Sequence, residues 1–250
     1  MTRRRFFAPP DAFSRDTVHL DSDEARYLRE VLRLKPGEQV FVFNGEGKEF
    51  QCTIEEARRD SSLLKVVSEI EPARPESPLR LTLALALLKG EKFDLVVQKA
   101  TELGVTTITP VTTKLADIRL RDQSDAKKRV VRWQRIALEA AKQSGRAVLP
   151  EVANPVAFAE CVSKTPTSSV RLMFSERDGG LLLQVVESRN EPVHAVTALV
   201  GSEGGWTDEE LGSAREAGWE VITLGGRTLR AETAAIAATT LVQHLFGDLK

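Results

Sequence analysis

Two glycine-rich bends near the end of the chain carry the residue types and spacing best suited to chemistry. They are Leu199-Val200-Gly201-Ser202-Glu203-Gly204-Gly205-Trp206-Thr207 and Leu224-Gly225-Gly226-Arg227-Thr228-Leu229-Arg230-Ala231-Glu232-Thr233. Both share one grammar: an apolar run that reads as a buried strand, a bend, then a helix start. Glycines at strand ends let a backbone approach a ligand closely, and in open α/β sheets ligands sit outside the carboxyl ends of the strands. Taken singly, each bend also reads as an ordinary strand-to-helix turn. As a pair they point to two walls of one pocket.

Other chemistries lack their residues. No Gly-x-Gly-x-x-Gly follows a strand and no Gly-x-x-x-x-Gly-Lys-Ser/Thr occurs. The common methyltransferase layout needs a glycine-rich loop after its first strand, and Leu88-Lys89-Gly90-Glu91 has a single glycine. A nucleotide-like ligand is therefore expected late in the chain. His19, His194 and His244 lack metal spacing, there is no Gly-x-Ser-x-Gly, and Cys52 and Cys161 stand far apart. No metal is expected, and the cysteines read as small buried hydrophobes.

At 250 residues, with 42% hydrophobic and 28% charged residues, the composition is that of an ordinary globular chain with a sizeable core. No apolar run approaches the roughly eighteen residues of a membrane span, and no apolar segment follows the basic N-terminal residues. A cytoplasmic protein without a membrane partner is expected. The formal net charge of -1 argues against a uniformly positive surface. Locally the balance differs: between Lys114 and Arg146 ten basic residues stand against four acidic ones, and Arg3, Arg4 and Arg5 form a second basic patch. Such runs also read as solvated helix faces.

The elements that must position the bends follow from periodicity. Residues 1 to about 72 read as β-rich, with Gln39–Phe43 and Lys48–Ile54 joined through Asn44-Gly45 as a hairpin, and Leu63–Val67 as a further strand closing a small barrel. Ser22–Arg33 reads as a helix with Ala25, Leu28, Val31 and Leu32 inward and Arg26, Arg29 and Arg33 outward. Pro72, Pro75 and Pro78 mark a boundary. Beyond it, strands at 81–88, 106–111, 170–174, 194–200 and 220–224 alternate with helices at 91–103, 125–144, 208–217 and 232–245, which predicts a mainly parallel sheet covered on both faces. Thr207 and Glu210 have the spacing of a capping box.

The two bends together resemble the paired motif of the SPOUT methyltransferases, and more narrowly the ribosomal RNA small subunit methyltransferase E family, which modifies N3 of a uridine in 16S rRNA. Arg4-Arg5-Phe6-Phe7, Val31-Leu32-Arg33-Leu34-Lys35-Pro36-Gly37, Lys99-Ala100-Thr101-Glu102-Leu103-Gly104-Val105 and Glu139-Ala140-Ala141-Lys142-Gln143-Ser144-Gly145-Arg146 resemble further blocks of that family in the same order. Ser202 stands where many relatives have proline, and many have other residues at Gly226. The resemblance implies a PUA-like RNA-binding β-barrel over 1–72, followed over 73–250 by a SPOUT α/β domain with a C-terminal trefoil knot. It implies S-adenosyl-L-methionine as cofactor, 16S rRNA or the small ribosomal subunit as partner, and a homodimer. Carried onto this chain, the cofactor would meet Phe174, Val200, Gly201, Leu224, Gly225, Gly226, Leu229 and Thr233.

Methylating uridine N3 requires removal of a proton and stabilisation of the charge that spreads to O2 and O4. A carboxylate and a guanidinium meet those needs, and Glu203 and Arg230 are the candidates. Position alone also suits Glu203 as a carboxylate satisfying amides at a helix start, and Arg230 as an ion-pair partner of Glu232 or Glu203. Arg3, Arg4, Arg5 and Arg33 are assigned to RNA phosphates, with Gln143 and Arg146 nearer the target loop. Two alternatives stay open: a SPOUT enzyme acting on another base or a ribose 2'-oxygen, and a non-catalytic RNA-binding assembly factor.

Overall fold

The computed structural model describes residues 3–250. It divides into two compact units, residues 1–76 with 141–149, and residues 77–140 with 150–250.

In the first unit β1 (Arg5–Phe7), β2 (Phe13–Ser14), β3 (Thr17–Leu20), β4 (Gln39–Phe43), β5 (Glu49–Ala57) and β6 (Ser62–Ile70) form one sheet in the order β1-β4-β5-β6-β3-β2. β4 and β5 are the hairpin that Asn44-Gly45 predicts. Gly45 takes φ +82°, which suits glycine, and Asn44 Oδ1 accepts from the Glu46 and Lys48 N–H groups. Phe6, Val18, Leu20, Leu28, Val40, Val42, Cys52, Ile54 and Leu64 pack as its core. The helix expected over 22–33 is shorter: α1 (Ser22–Arg26), capped by Asp21, runs into a wide π turn at Tyr27–Val31. The extra residue in that turn shifts the helical phase, so Leu28 is buried while Val31, expected inward, is exposed.

A charged cluster lies inside this unit. Glu49 is fully buried and accepts from Arg5 Nε and Nη2, Arg3 Nη1 and the Ala73 amide. Arg5 in turn donates to the carbonyls of Ala141, Lys142 and Arg146, and Lys142 pairs with buried Glu24 at 2.6 Å. The segment after residue 140 is thus held by side chains of strands β1 and β5 and helix α1.

The second unit holds a seven-stranded sheet of β7 (Arg80–Ala86), β8 (Thr107–Thr112), β9 (Glu151–Val152), β10 (Val156–Ala157), β11 (Val170–Phe174), β12 (Ala195–Val200) and β13 (Glu220–Ile222). Its order is β10-β8-β7-β12-β11-β13, with β9 also on β8, and every pairing is parallel. The helices are α2 (Lys92–Glu102), α3 (Gln123–Ser144), α4 (Phe158–Lys164), α5 (Leu182–Glu187), α6 (Asp208–Glu216) and α7 (Ala231–Phe246). α4 and α5 were not anticipated; each is under two turns, too short for a periodic signal. Trp133 of α3 is buried against Phe93 of α2, with ring centroids 4.1 Å apart, while Lys127, Lys128 and Arg135 face outward. At α6, Thr207 Oγ1 accepts from the Glu210 N–H and Glu210 Oε2 accepts from the Thr207 N–H, which completes the expected capping box. Both cysteines are free and buried, and burial pushes the Cys52 thiol up to about 12 and the Cys161 thiol up to about 11. No described helix is long and apolar enough to cross a membrane.

Candidate functional site

Parallel register sets Phe174 level with both Val200 and Ile222. The chain leaves β11, β12 and β13 at that one level, so the three following bends converge. Phe174, Ser175, Glu176, Val200, Gly201, Ser202, Gly205, Trp206, Thr223, Leu224, Gly225, Arg227, Leu229, Ala231 and Ala234 line a recess with an empty volume of ≈ 500 Å³ at the carboxyl edge of the sheet. That is the position of a small-molecule site in a doubly wound sheet.

Two glycines are required there. A Cβ on Gly201 would stand 3.0 Å from the Trp206 ring, and Gly205 has φ +67° with the Glu176 carboxylate 2.8 Å from where its Cβ would be. Trp206 forms the inner wall: its Nε1 donates to the Phe174 carbonyl at 2.8 Å and its ring packs on Phe158. Trp206→Phe keeps the ring but leaves that buried carbonyl without its donor, so unfolding free energy should fall by about 1–3 kcal/mol in urea titration. An unchanged midpoint would show that the carbonyl finds another partner.

Of the residues expected at a cofactor, Phe174, Val200, Gly201, Leu224, Gly225 and Leu229 line the recess, and Gly226 and Thr233 do not. Sequence reasoning missed Ser175, Glu176, Ser202, Trp206, Thr223 and Arg227. The walls combine apolar faces with polar groups that suit a mixed ligand. Among the described residues the buried Ser202 Oγ has no hydrogen-bond partner, and Glu176 lies on the same lining.

Glu203 stands on the outer edge of this bend, its side chain 25% exposed, and accepts from Lys92 Nζ at 2.7 Å. Partial burial pushes its carboxyl up. Hydrogen bonds from Lys92 and from the Glu203 and Lys89 backbone, together with the Lys92 charge, outweigh that and hold it below the usual carboxylate range. It is not the cap of α6, since Thr207 and Glu210 fill that role. Glu232 lies on the other side of the same ammonium, at 3.7 Å. Among the described residues neither carboxylate pairs with Arg230, which is exposed at the start of α7. Lys92 escaped notice in the sequence, although it opens the first helix after β7, where the first strand-to-helix turn of an α/β unit commonly meets a ligand.

The residues expected at RNA all lie in the first unit. Arg4 is half exposed and pairs with Glu38 at 2.9 Å; Arg33, at φ +54°, and Gln143 are exposed. Arg3 is partly exposed, bound to Glu49 and to the Glu71 carbonyl. Arg5 and Arg146 differ from expectation. Arg5 is buried on Glu49 and three carbonyls, and Arg146 is buried on Glu76 at 2.8 Å. Their charge is matched internally, which takes both out of the phosphate-facing set.

Residues 75–243 match the RNA methyltransferase domain family, and residues 20–67 match the RNA methyltransferase PUA domain family. A Synechocystis protein named ribosomal RNA small subunit methyltransferase E is 35% identical over 96% of this chain and 77% of its own length. The Bacillus subtilis protein of that name is 28% identical over 91% of this chain and 90% of its own. Among solved structures, the Neisseria gonorrhoeae protein of that name, bound to S-adenosyl methionine, superposes with a TM-score of 0.88 at 34% identity, covering 100% of both chains. A Legionella pneumophila protein in complex with its cofactor SAM superposes with a TM-score of 0.90 at 32% identity, again over 100% of both chains.

Proposed function

The chain belongs to the ribosomal RNA small subunit methyltransferase E family, and from that premise we propose that it transfers a methyl group from S-adenosylmethionine to N3 of a uridine in 16S rRNA. The observation that carries this reading is the recess at the carboxyl ends of β11, β12 and β13, lined by both glycine bends, with Glu203 next in the chain to its lining residue Ser202. When bound, S-adenosylmethionine supplies a methyl group on a sulfonium, whose bonding electron pair leaves on sulfur. Phe174, Val200, Leu224 and Leu229 would give its apolar parts a wall to pack on. The orphaned Ser202 hydroxyl and the Glu176 carboxylate offer polar partners to its ribose and methionine ends.

Glu203 is the proposed base. Its oxygens accept the N3 proton, and the electron pair left on N3 forms the new bond to carbon. Arg230 is the proposed partner of the charge that develops on O2 and O4. N3 lies on the pairing edge, so the target base must be unpaired or extruded. The family resemblance adds a homodimer, a C-terminal trefoil knot within 73–250 and a cytoplasmic place of action. These are parts of the same proposal.

Labelled methyl transfer onto small ribosomal subunits, with the product nucleoside identified by mass, tests the reading. 3-Methyluridine supports it, another methylated nucleoside or ribose redirects it within the superfamily, and binding without transfer replaces it with an assembly role. For the first unit, Arg4→Ala with Arg33→Ala should lower the slope of log affinity against log salt by roughly 1–2 for ribosomal RNA, as about one phosphate contact is lost per arginine. An unchanged slope would remove these two arginines from the RNA surface.

A further inference from the structure

Lys92 stands between two carboxylates of unequal standing. Its Nζ is 2.7 Å from Glu203 Oε1 and 3.7 Å from Glu232 Oε2. Glu232 is the more enclosed, with its side chain 14% exposed, and its Oε2 is buried without accepting any hydrogen bond. A buried carboxylate oxygen that leaves its acceptor capacity unused is costly, and it is stable only with a cation in reach. One ammonium thus serves a carboxylate on the rim and holds a second, unfilled acceptor behind it.

We propose that Lys92 is a positioning residue for proton removal: it holds Glu203 ionised and aimed, then moves to Glu232 when Glu203 takes the proton. This rests on the reading that Glu203 is the base. The step balances within the groups named. The N3–H bond breaks, an O–H bond forms on Glu203, the electron pair stays on N3, and Lys92 keeps its three protons throughout. Before transfer the ammonium is hydrogen-bonded to the rim carboxylate. Once that carboxylate is neutral, Glu232 is the remaining anion in reach, and the flexible four-carbon stem lets the ammonium turn to it. The Glu203 proton then passes to solvent, to which its side chain is open, and the ammonium returns.

The surrounding charges favour this reading over Lys92 as the base itself. The hydrogen bond to Glu203 raises the Lys92 ammonium above its ordinary range, burial opposes this, the charges of Glu203 and Glu232 add to it, and Arg230 opposes it. Glu91 and Asp94 line the same groove, Asp94 paired with Arg132 and accepting from Trp133 Nε1, and Lys89 is engaged with Asp117 at 2.7 Å. A protonated amine in that setting donates and does not abstract.

The test has two readouts. In protein free of cofactor and RNA, a carbon-detected NMR titration of the Glu203 carboxyl should give a value below the ordinary glutamate range in wild type, and Lys92→Met should raise it, since burial then acts without the ammonium that opposes it. Lys92→Arg, which keeps the charge, should leave it low. In methyl transfer, Lys92→Met should lose activity progressively as the pH falls and match wild type towards pH 8, because only the ionised fraction of Glu203 changes. A defect in folding alone would lower the rate by one factor at every pH. Glu232→Gln, which removes the second acceptor, should slow transfer while leaving the Glu203 titration low. An unmoved Glu203 titration in Lys92→Met, or a loss independent of pH, overturns the inference. Wild-type rates in Glu203→Gln overturn the reading on which it rests, whatever Lys92 does.

Discussion

Glu203→Gln should lower methyl transfer by roughly 10²- to 10⁴-fold, the range of a positioned general base, with affinity for S-adenosylmethionine kept within about threefold. The substitution keeps the shape of the side chain and an oxygen that accepts from Lys92, so the bend from Gly201 to Gly205 has no cause to rearrange. What it removes is the group that can hold the N3 proton. Ionisation decides the expected pH behaviour. The Glu203 carboxyl lies below its ordinary range, so wild-type protein holds the base ready at neutral pH and loses it only as the pH falls below the usual carboxylate range. Single-turnover transfer, with cofactor affinity measured by calorimetry, separates the base from a binding residue. Activity within about tenfold of wild type would transfer the role of base to another group or to water.

The largest expected effect on stability lies in the first unit. Glu49→Ala should cost about 3–5 kcal/mol in urea unfolding, because it leaves the Arg5 guanidinium buried without its counter-ion. Arg5 has only 6% of its side chain exposed and meets Glu49 Oε2 at 3.1 Å and Oε1, through Nε, at 3.3 Å. Its remaining donors hold the carbonyls of Ala141, Lys142 and Arg146, at the end of α3 and beyond. Ala141 and Lys142 lie in the last turn of α3, at a helix C-terminus, where a cation is favoured. Loss of Glu49 should therefore release the segment 141–149 as well, read as faster amide exchange there than in β7 or β12. A cost below about 1 kcal/mol would mean that Arg5 reaches solvent when unpaired.

These two residues illustrate what was legible in the chain. Glu203 is legible as a candidate because it is a carboxylate between glycines at the end of an apolar run, a local pattern, while the cofactor positions near it came from the family resemblance. Arg5 was read as a surface cation because a triplet of arginines looks alike in sequence whether one of them is buried or not. Glu49, 44 positions away, and the carbonyls of Ala141, Lys142 and Arg146 distinguish it from Arg4. Lys92 was missed for the same reason, since Glu203 lies 111 positions further on and no periodicity links them.

Local rules alone determined the Asn44-Gly45 hairpin, the capping box of Thr207 and Glu210, the alternation of strands and helices after Pro78, and the two glycine bends, because each depends on residues within one turn or one strand. Tertiary structure decided what long-range pairing decides. The parallel registers that set Phe174, Val200 and Ile222 level turned three separate bends into one recess. Burial converted Arg5 and Arg146 from candidate RNA contacts into parts of a core. The approach of the Lys92 ammonium lowered the Glu203 carboxyl against the effect of its burial. The physical reason is common to all three: desolvation and Coulomb attraction act through space, and the residues they join lie tens to more than a hundred positions apart in the chain.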